Sequence, residues 1–274
     1  MLSTEERNRI YRQAYIPEHL PDYVASISGS EPHLIDSYLC FSRRRHMIFI
    51  GYPLGDSGGE VSQAYRNACK RCNPDTVSVI APKIWLGEDD CEKQPPDNYY
   101  RLKLPLEAVP AEVAYMLRRA RKELVVTPGR FGRDHKRIVQ TFIKNRRFSP
   151  EQIHLFKHIH DYLKRSSSAV LLDARKDRRL AAFTVLDLGS ADHAFYLFNF
   201  RSADINIPGS SDLLFHEMVN ISQSNGKKAI NLGLAVNPGI RRFKEKWGGV
   251  LFMPHEAALV YRSEPELDAL AQKL

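Results

Sequence analysis

The sequence predicts an α+β protein of two tandem units, on three observations. Strand-like and helix-like stretches alternate through both halves, and each half holds a central hairpin. Three consecutive strands joined by short polar connections dominate the second half. The 274 residues are long for one ordinary domain and suit two. Hydrophobic residues make up 43% of the chain and charged residues 26%, so a sizeable core is attainable and no segment is too polar to fold. No sequence repeat is visible, so the duplication is expected in structure and not in residues.

In the first half, residues 37–42 and 47–52 are rich in aromatic and β-branched side chains and flank the basic turn 43–46, which predicts a hairpin. A glycine-rich loop at 53–59 precedes a helix over 60–71 that Asn73-Pro74 stops. A buried strand follows at 76–85, then an acidic loop at 87–97. A strand with period-2 alternation covers 99–106, and a helix with Val113, Met116, Leu117 and Ala120 on one face covers 111–122. Residues 124–132 contain Pro128-Gly129 and read as a junction. The boundary is therefore set there, giving units 1–127 and 128–274. A basic, helix-compatible stretch follows at 133–147.

The second half is sharper. Ser149, Pro150 and Gln152 spell a capping box with proline at the first helical position, and a helix to about residue 164 should bury Ile153, Phe156, Ile159 and Leu163. Strands are expected at 169–174, 180–188 and 194–200, and a helix from 208 to the Asn225-Gly226 stop. A strand at 228–234, a short helix from Asn237-Pro238 to Trp247, and a last strand at 250–261 complete the order.

The net charge of +8 favours polyanionic partners such as nucleic acid, anionic lipid or a phosphorylated cofactor. No apolar run approaches the roughly 18 residues of a membrane span, and the polar N-terminus lacks the apolar stretch of a signal peptide, so a cytoplasmic location is expected. Cys69 and Cys72 form a C-x-x-C without a second ligand pair, late in a helix. Free thiols are expected, and no metal. His154, His158 and His160 lack a third ligand and are expected to face solvent.

Two stretches carry candidate chemistry. Residues 208–212 (PGSSD) feed a helix N-terminus, where Gly209, Ser210 and Ser211 suit either a phosphate cradle or simple capping; the residue types alone favour capping. Residues 231–249 (NLGLAVNPGIRRFKEKWGG) place Ile240, Phe243 and Trp247 on a core face, with Arg241 and Lys244 on a neighbouring one. Those two cations suit a phosphate or an oxyanion. The bland alternative is a solvated face with Arg241 paired to Glu245. His193, His216, His255, Glu217 and Asp212 are scattered candidates for a general base.

The pattern glycine, apolar, two residues, Phe-Lys, two residues, aromatic, glycine within 239–249 resembles the Fem-type aminoacyltransferases of the GNAT superfamily. The GYPLG segment at 51–55 is similar to a Gly-x-Pro segment in the cytosolic domain of phosphatidylglycerol lysyltransferases. The chain departs from the Fem-type pattern at Asn231, where those proteins often carry an acid. It also lacks their helical hairpin arm. The resemblance implies two tandem GNAT-like domains, each a mixed, mostly antiparallel sheet flanked by helices, with the active site in the second. It implies transfer of an acyl group from acyl-CoA or aminoacyl-tRNA to an amine or hydroxyl. The acceptor would be a small molecule, a peptidoglycan precursor or a lipid head group. On this reading Lys244 stabilises charge, Phe243 lines the site, and Gly209, Ser210, Ser211 and Arg241 contact the donor. The competing expectation is a non-catalytic RNA- or lipid-binding module on the same scaffold.

Overall fold

A computed structural model describes residues 2–55 and 59–262. The helices, in chain order, are α1 (Thr4–Gln13), α2 (Pro21–Ser28), α3 (Val61–Cys72), α4 (Ala111–Ala120), α5 (Arg133–Lys144), α6 (Pro150–Lys157), α7 (Ile159–Arg165), α8 (Ser210–Ser224) and α9 (Pro238–Lys246). The strands are β1 (Glu31–Ile35), β2 (Tyr38–Arg43), β3 (His46–Ile50), β4 (Thr76–Ala81), β5 (Glu92–Lys93), β6 (Asp97–Lys103), β7 (Val125–Pro128), β8 (Ala169–Lys176), β9 (Arg179–Asp187), β10 (His193–Arg201), β11 (Ala229–Leu234) and β12 (Val250–Tyr261). The chain forms two compact units. Among the described residues, unit 1 holds 2–8, 29–55, 59–98 and 253–262, and unit 2 holds 9–28 and 99–252. Each is a mixed, mostly antiparallel sheet flanked by helices, as expected.

In unit 1 the strand order is β1-β2-β3-β4-β12, with β5 also on β12. Every pairing is antiparallel except β3 with β4, which α3 connects. Residues in β4 alternate, so Val77, Val79 and Ala81 turn inward. The small side chains Ala64 and Ala68 let α3 lie close over them, in one core with Tyr38, Phe49 and Val260. The GYPLG segment explains itself by packing. A Cβ at Gly51 would lie 2.8 Å from the Ala81 Cβ, and the Gly51 N–H donates to Ile80 O at 2.7 Å. The four cysteines are free thiols, two buried and two half-buried. Part of the loop expected at 53–59 lies outside the described residues.

In unit 2 the strand order is β6-β11-β10-β9-β8-β7, and only β10 and β11 run parallel, joined by α8. From Leu180 to Asp187, β9 is buried throughout because a core lies on each face. One core joins Leu102, Val113, Leu117, Phe215, Met218 and Trp247. The other joins Ile138, Ile159, Tyr162, Phe183 and Phe200. The Ser149 capping box forms as its residues require: Ser149 Oγ accepts from Gln152 N at 3.3 Å, and Gln152 Oε1 accepts from Ser149 N at 3.1 Å.

Several expectations change. The chain does not divide at 127/128. β6 pairs with β11, and α4 shares the core of α8, so both belong to unit 2. The junction at 124–132 contains a strand, β7, paired with β8. The helix expected over 149–164 breaks at His158. There the imidazole Nδ1 bonds His154 O at 2.7 Å, taking an acceptor the helix would use. Residues Ile153, Phe156 and Leu163 are only half-buried; Ile159 is fully buried. His154 is exposed as expected, whereas His158 and His160 are half-buried. His154 Nε2 bonds Ile27 O at 2.7 Å, and His160 stacks on Phe131 at 5.3 Å. The N-terminal helices and β1 had no counterpart in the expectations.

Candidate active site

The parallel seam of unit 2 opens after a short distance. It pairs His193, Ala194 and Phe195 with Ala229, Ile230 and Asn231, and stops. Both strands then carry an irregularity, β10 between Tyr196 and Phe198 against β9, and β11 between Asn231 and Gly233 against β6. Gly233 has φ 72°, a left-handed conformation that a side chain would strain. Asn231, fully buried, fixes the bulge: its Oδ1 accepts from Gly233 N at 2.8 Å and its Nδ2 donates to Tyr15 O at 2.8 Å. A carboxylate could supply only the first of these contacts, which accounts for an amide at this position.

Where the strands diverge lies a cavity of about 750 Å³. Its wall is aromatic, with Tyr23, Phe142, Phe156, Tyr196, Phe198, Phe200 and Phe243 among the lining residues. Burial pushes the phenols of Tyr23 and Tyr196 above their ordinary value, so both stay neutral donors at physiological pH. The charged groups on the lining are Glu18, Arg146, Arg201 and Lys244.

Lys244, expected here as the charge-stabilising residue, departs from the spacing argument only in being buried away from Arg241. It is 2% exposed, and its ammonium donates to Gly233 O at 2.8 Å and Leu234 O at 2.7 Å. Its Nζ also lies 5.6 Å from the Tyr100 ring centroid. The bulge of β11 thus turns two carbonyls toward one buried cation. Arg241 does not share this environment. It is exposed and borders a separate depression with Arg242 and Glu245, and among the described residues no ion pair joins Arg241 to Glu245. The expected core face of α9 also divides. Trp247 is fully buried, whereas Ile240 and Phe243 are half-buried and line the cavity. Phe243 stacks on Tyr196 with centroids 6.2 Å apart.

The PGSSD stretch reaches the site through Ser211 alone. Ser211 lines the cavity and donates to Asn199 Oδ1 at 2.9 Å. Gly209, at φ 83°, is buried against α4, where a Cβ would lie 2.5 Å from Met116 O, and Ser210 is 2% exposed. Asp212 is buried and accepts from Trp247 Nε1 at 2.9 Å, with the Lys246 ammonium at 2.6 Å. The two sequence stretches singled out for chemistry therefore meet at Asp212 and Trp247, which fixes α9 to α8.

None of the five scattered base candidates lines the cavity. His193 stacks between Phe195 and Phe252, His216 lies between Arg121 and Asn220, and Asp212 is committed to α9. The acid on the wall is Glu18, from a single 3-10 turn at Pro17–His19, held by the Tyr99 hydroxyl at 2.7 Å. Nothing local in the sequence marks it, because its partner lies 81 residues away. Among the described residues no group of three or more His, Cys, Asp and Glu side chains forms a metal cluster, and no helix is long and apolar enough to cross a membrane.

No protein-family model matches the chain, and no curated protein matches its sequence. Solved structures do match its architecture. The C-terminal domain of a putative lysylphosphatidylglycerol synthetase from Agrobacterium fabrum superposes with a TM-score of 0.64, at 16% identity over 99% of this chain and 96% of that one. FemX superposes with a TM-score of 0.60 at 11% identity, covering 100% and 98% of the two chains. A tandem GNAT protein from the clavulanic acid biosynthesis pathway superposes with a TM-score of 0.52 at 10% identity, covering 84% and 79%. The fold is the tandem GNAT fold. Within this tandem GNAT architecture, the opened seam of unit 2 is the candidate site.

Proposed function

We propose that the chain is an acyltransferase or aminoacyltransferase that moves an acyl group from an acyl-CoA or an aminoacyl-tRNA to an amine or hydroxyl acceptor. The observation that carries this reading is Lys244, a cation 2% exposed and fixed at the wall of an aromatic cavity. Burying an ammonium is costly, and such a charge acts strongly in a low-dielectric site. The acceptor nitrogen or oxygen bonds to the donor carbonyl carbon, and the carbonyl oxygen becomes an oxyanion beside Lys244. The carbon–sulfur or carbon–oxygen bond then breaks, and the proton shed by the acceptor ends on the leaving group. Aromatic walls exclude water from the ester or thioester, and much of the rate comes from positioning. Arg146 and Arg201, exposed on the same lining, suit the phosphates of either donor. Ser211 remains the one cradle residue in reach, and Phe243 forms wall. The reaction belongs in the cytoplasm, where both donors are available.

The test is direct. Acetyl-CoA or an aminoacyl-tRNA mimic should raise the melting temperature of the wild type. Lys244→Met should keep most of that stabilisation and lose turnover by about 100-fold or more. If neither donor stabilises the protein and RNA binds with a steep salt dependence that survives Lys244→Met, the chain is a binding module and not a transferase.

A further inference from the structure

A protonated amine cannot attack a carbonyl, so the proposed transfer needs a group that takes a proton beside the reacting carbon. Among the described residues, Glu18 is the one carboxylate lining the cavity. Its backbone is anchored on both sides. Ile16 and His19 are fully buried and Leu20 is 1% exposed, while His19 N and Leu20 N close the turn onto Ile16 O and Pro17 O at 3.1 and 3.0 Å. An acid in an ordinary surface turn points to water, but Glu18 is a half-buried residue on a cavity wall. Tyr99, fully buried, donates its hydroxyl to Oε2 and sets the carboxylate's orientation. No cation pairs with Glu18 among the described residues, so a structural ion pair does not account for it.

The sheet register places this acid level with the cation. Tyr99 on β6 is paired with Leu234 on β11, and the Leu234 carbonyl is one of the two that hold Lys244. The partner of the acid and the partner of the cation are therefore opposite residues on neighbouring strands. Asn231 adds a tie, since it bonds both the bulge that presents Gly233 and the Tyr15 carbonyl just before the Glu18 turn.

We propose that Glu18 is the catalytic base of the transfer, with Tyr99 as its positioning residue; this rests on the transferase reading above. The acceptor ammonium first gives a proton to a Glu18 oxygen, which releases it to solvent. As the freed amine nitrogen bonds to the donor carbonyl carbon, a second N–H proton passes to the same carboxylate. As the carbon–sulfur or carbon–oxygen bond breaks, that proton passes to the leaving sulfur or oxygen, and the carboxylate is regenerated. Glu18 and Lys244 divide the work, the acid carrying the proton and the ammonium facing the oxyanion.

Two acceptor probes test this on the full chain, with acetyl-CoA and total aminoacyl-tRNA as donors. Hexylamine is protonated at neutral pH and needs a base, whereas hydroxylamine is largely neutral and does not. Glu18→Gln should lose amide formation by about 100-fold and hydroxamate formation by only a few-fold. Tyr99→Phe should move the pH profile of amide formation, which a merely structural tyrosine would leave in place. Donor-induced thermal stabilisation in both variants shows that the site is still assembled. Equal loss of both products in Glu18→Gln, or loss of neither, overturns the assignment of the base while the transferase reading stands. No product from wild type with either donor overturns that reading, and this one with it.

Discussion

Each unit runs a strand, a helix and a second strand parallel to the first: β3, α3 and β4 in unit 1, and β10, α8 and β11 in unit 2. In unit 1 the parallel seam is zipped through five residue pairs, and Gly51 N extends it to Ile80 O. In unit 2 it closes over three pairs and then opens into the cavity. A glycine stands just beyond each seam and does opposite work. Gly51 lacks a side chain so that β3 can stay against Ala81; Gly233 takes φ 72° so that β11 can turn away. The same connection makes a wall in one unit and a site in the other, and local backbone chemistry at the seam's end decides which.

The largest expected effect comes from removing what supports the open seam. Trp247→Ala deletes a fully buried indole and the contact that fixes α9 to Asp212, so urea unfolding should show a loss of about 3–5 kcal/mol. Turnover should fall with it, because Lys244 rides on α9. A paired experiment sharpens the contrast. Gly51→Ala meets the Ala81 Cβ and Gly233→Ala forces a side chain into the left-handed region, each at about 1–3 kcal/mol. Only Gly233→Ala should also lower transfer; equal losses of turnover would erase the distinction between the two seams.

The smallest effect is electrostatic. On β8 of unit 2, Asp173 accepts from His135 Nε2 and from Arg175, both at 2.8 Å. Its burial disfavours the charge, yet these partners outweigh it and hold the carboxyl below its ordinary 3.8. The unfolded chain then binds the proton first as pH falls, so stability present above 3.8 is lost as pH drops through the lowered folded value. Asp173→Asn should flatten the acid limb of the stability curve below about pH 5. The exposed Arg45 and Asp75 pair of unit 1 also holds its carboxyl down, through the Arg45 hydrogen bonds, but solvent and salt screen it. Asp75→Asn should change the acid limb much less, and a larger change there would reverse the ranking.

What the sequence made legible was local. The Ser149 box, the three strands of 169–201 and the Asn237 cap, which accepts from Ile240 N at 2.9 Å, all depend on neighbours within a few residues. What it hid depends on distant pairing. β7 read as a junction because Pro128-Gly129 dominates it, and only β8 makes it a strand. Helical spacing put Lys244 beside Arg241, but two carbonyls eleven and ten residues earlier, turned by a bulge, drew Lys244 inside. Glu18 matters only because a strand 81 residues later brings it Tyr99.

The division of the chain also has a consequence for its synthesis. Unit 2 is complete once residue 252 has emerged, whereas β4 in unit 1 waits for β12 to cover its open side. The earlier-made unit is thus the later to finish, holding an unpaired strand edge through most of translation. A chain cut at residue 127 would strand α2 and β6 on the wrong fragment and leave β4 uncovered. Expression of either half alone should therefore yield aggregate, not a domain.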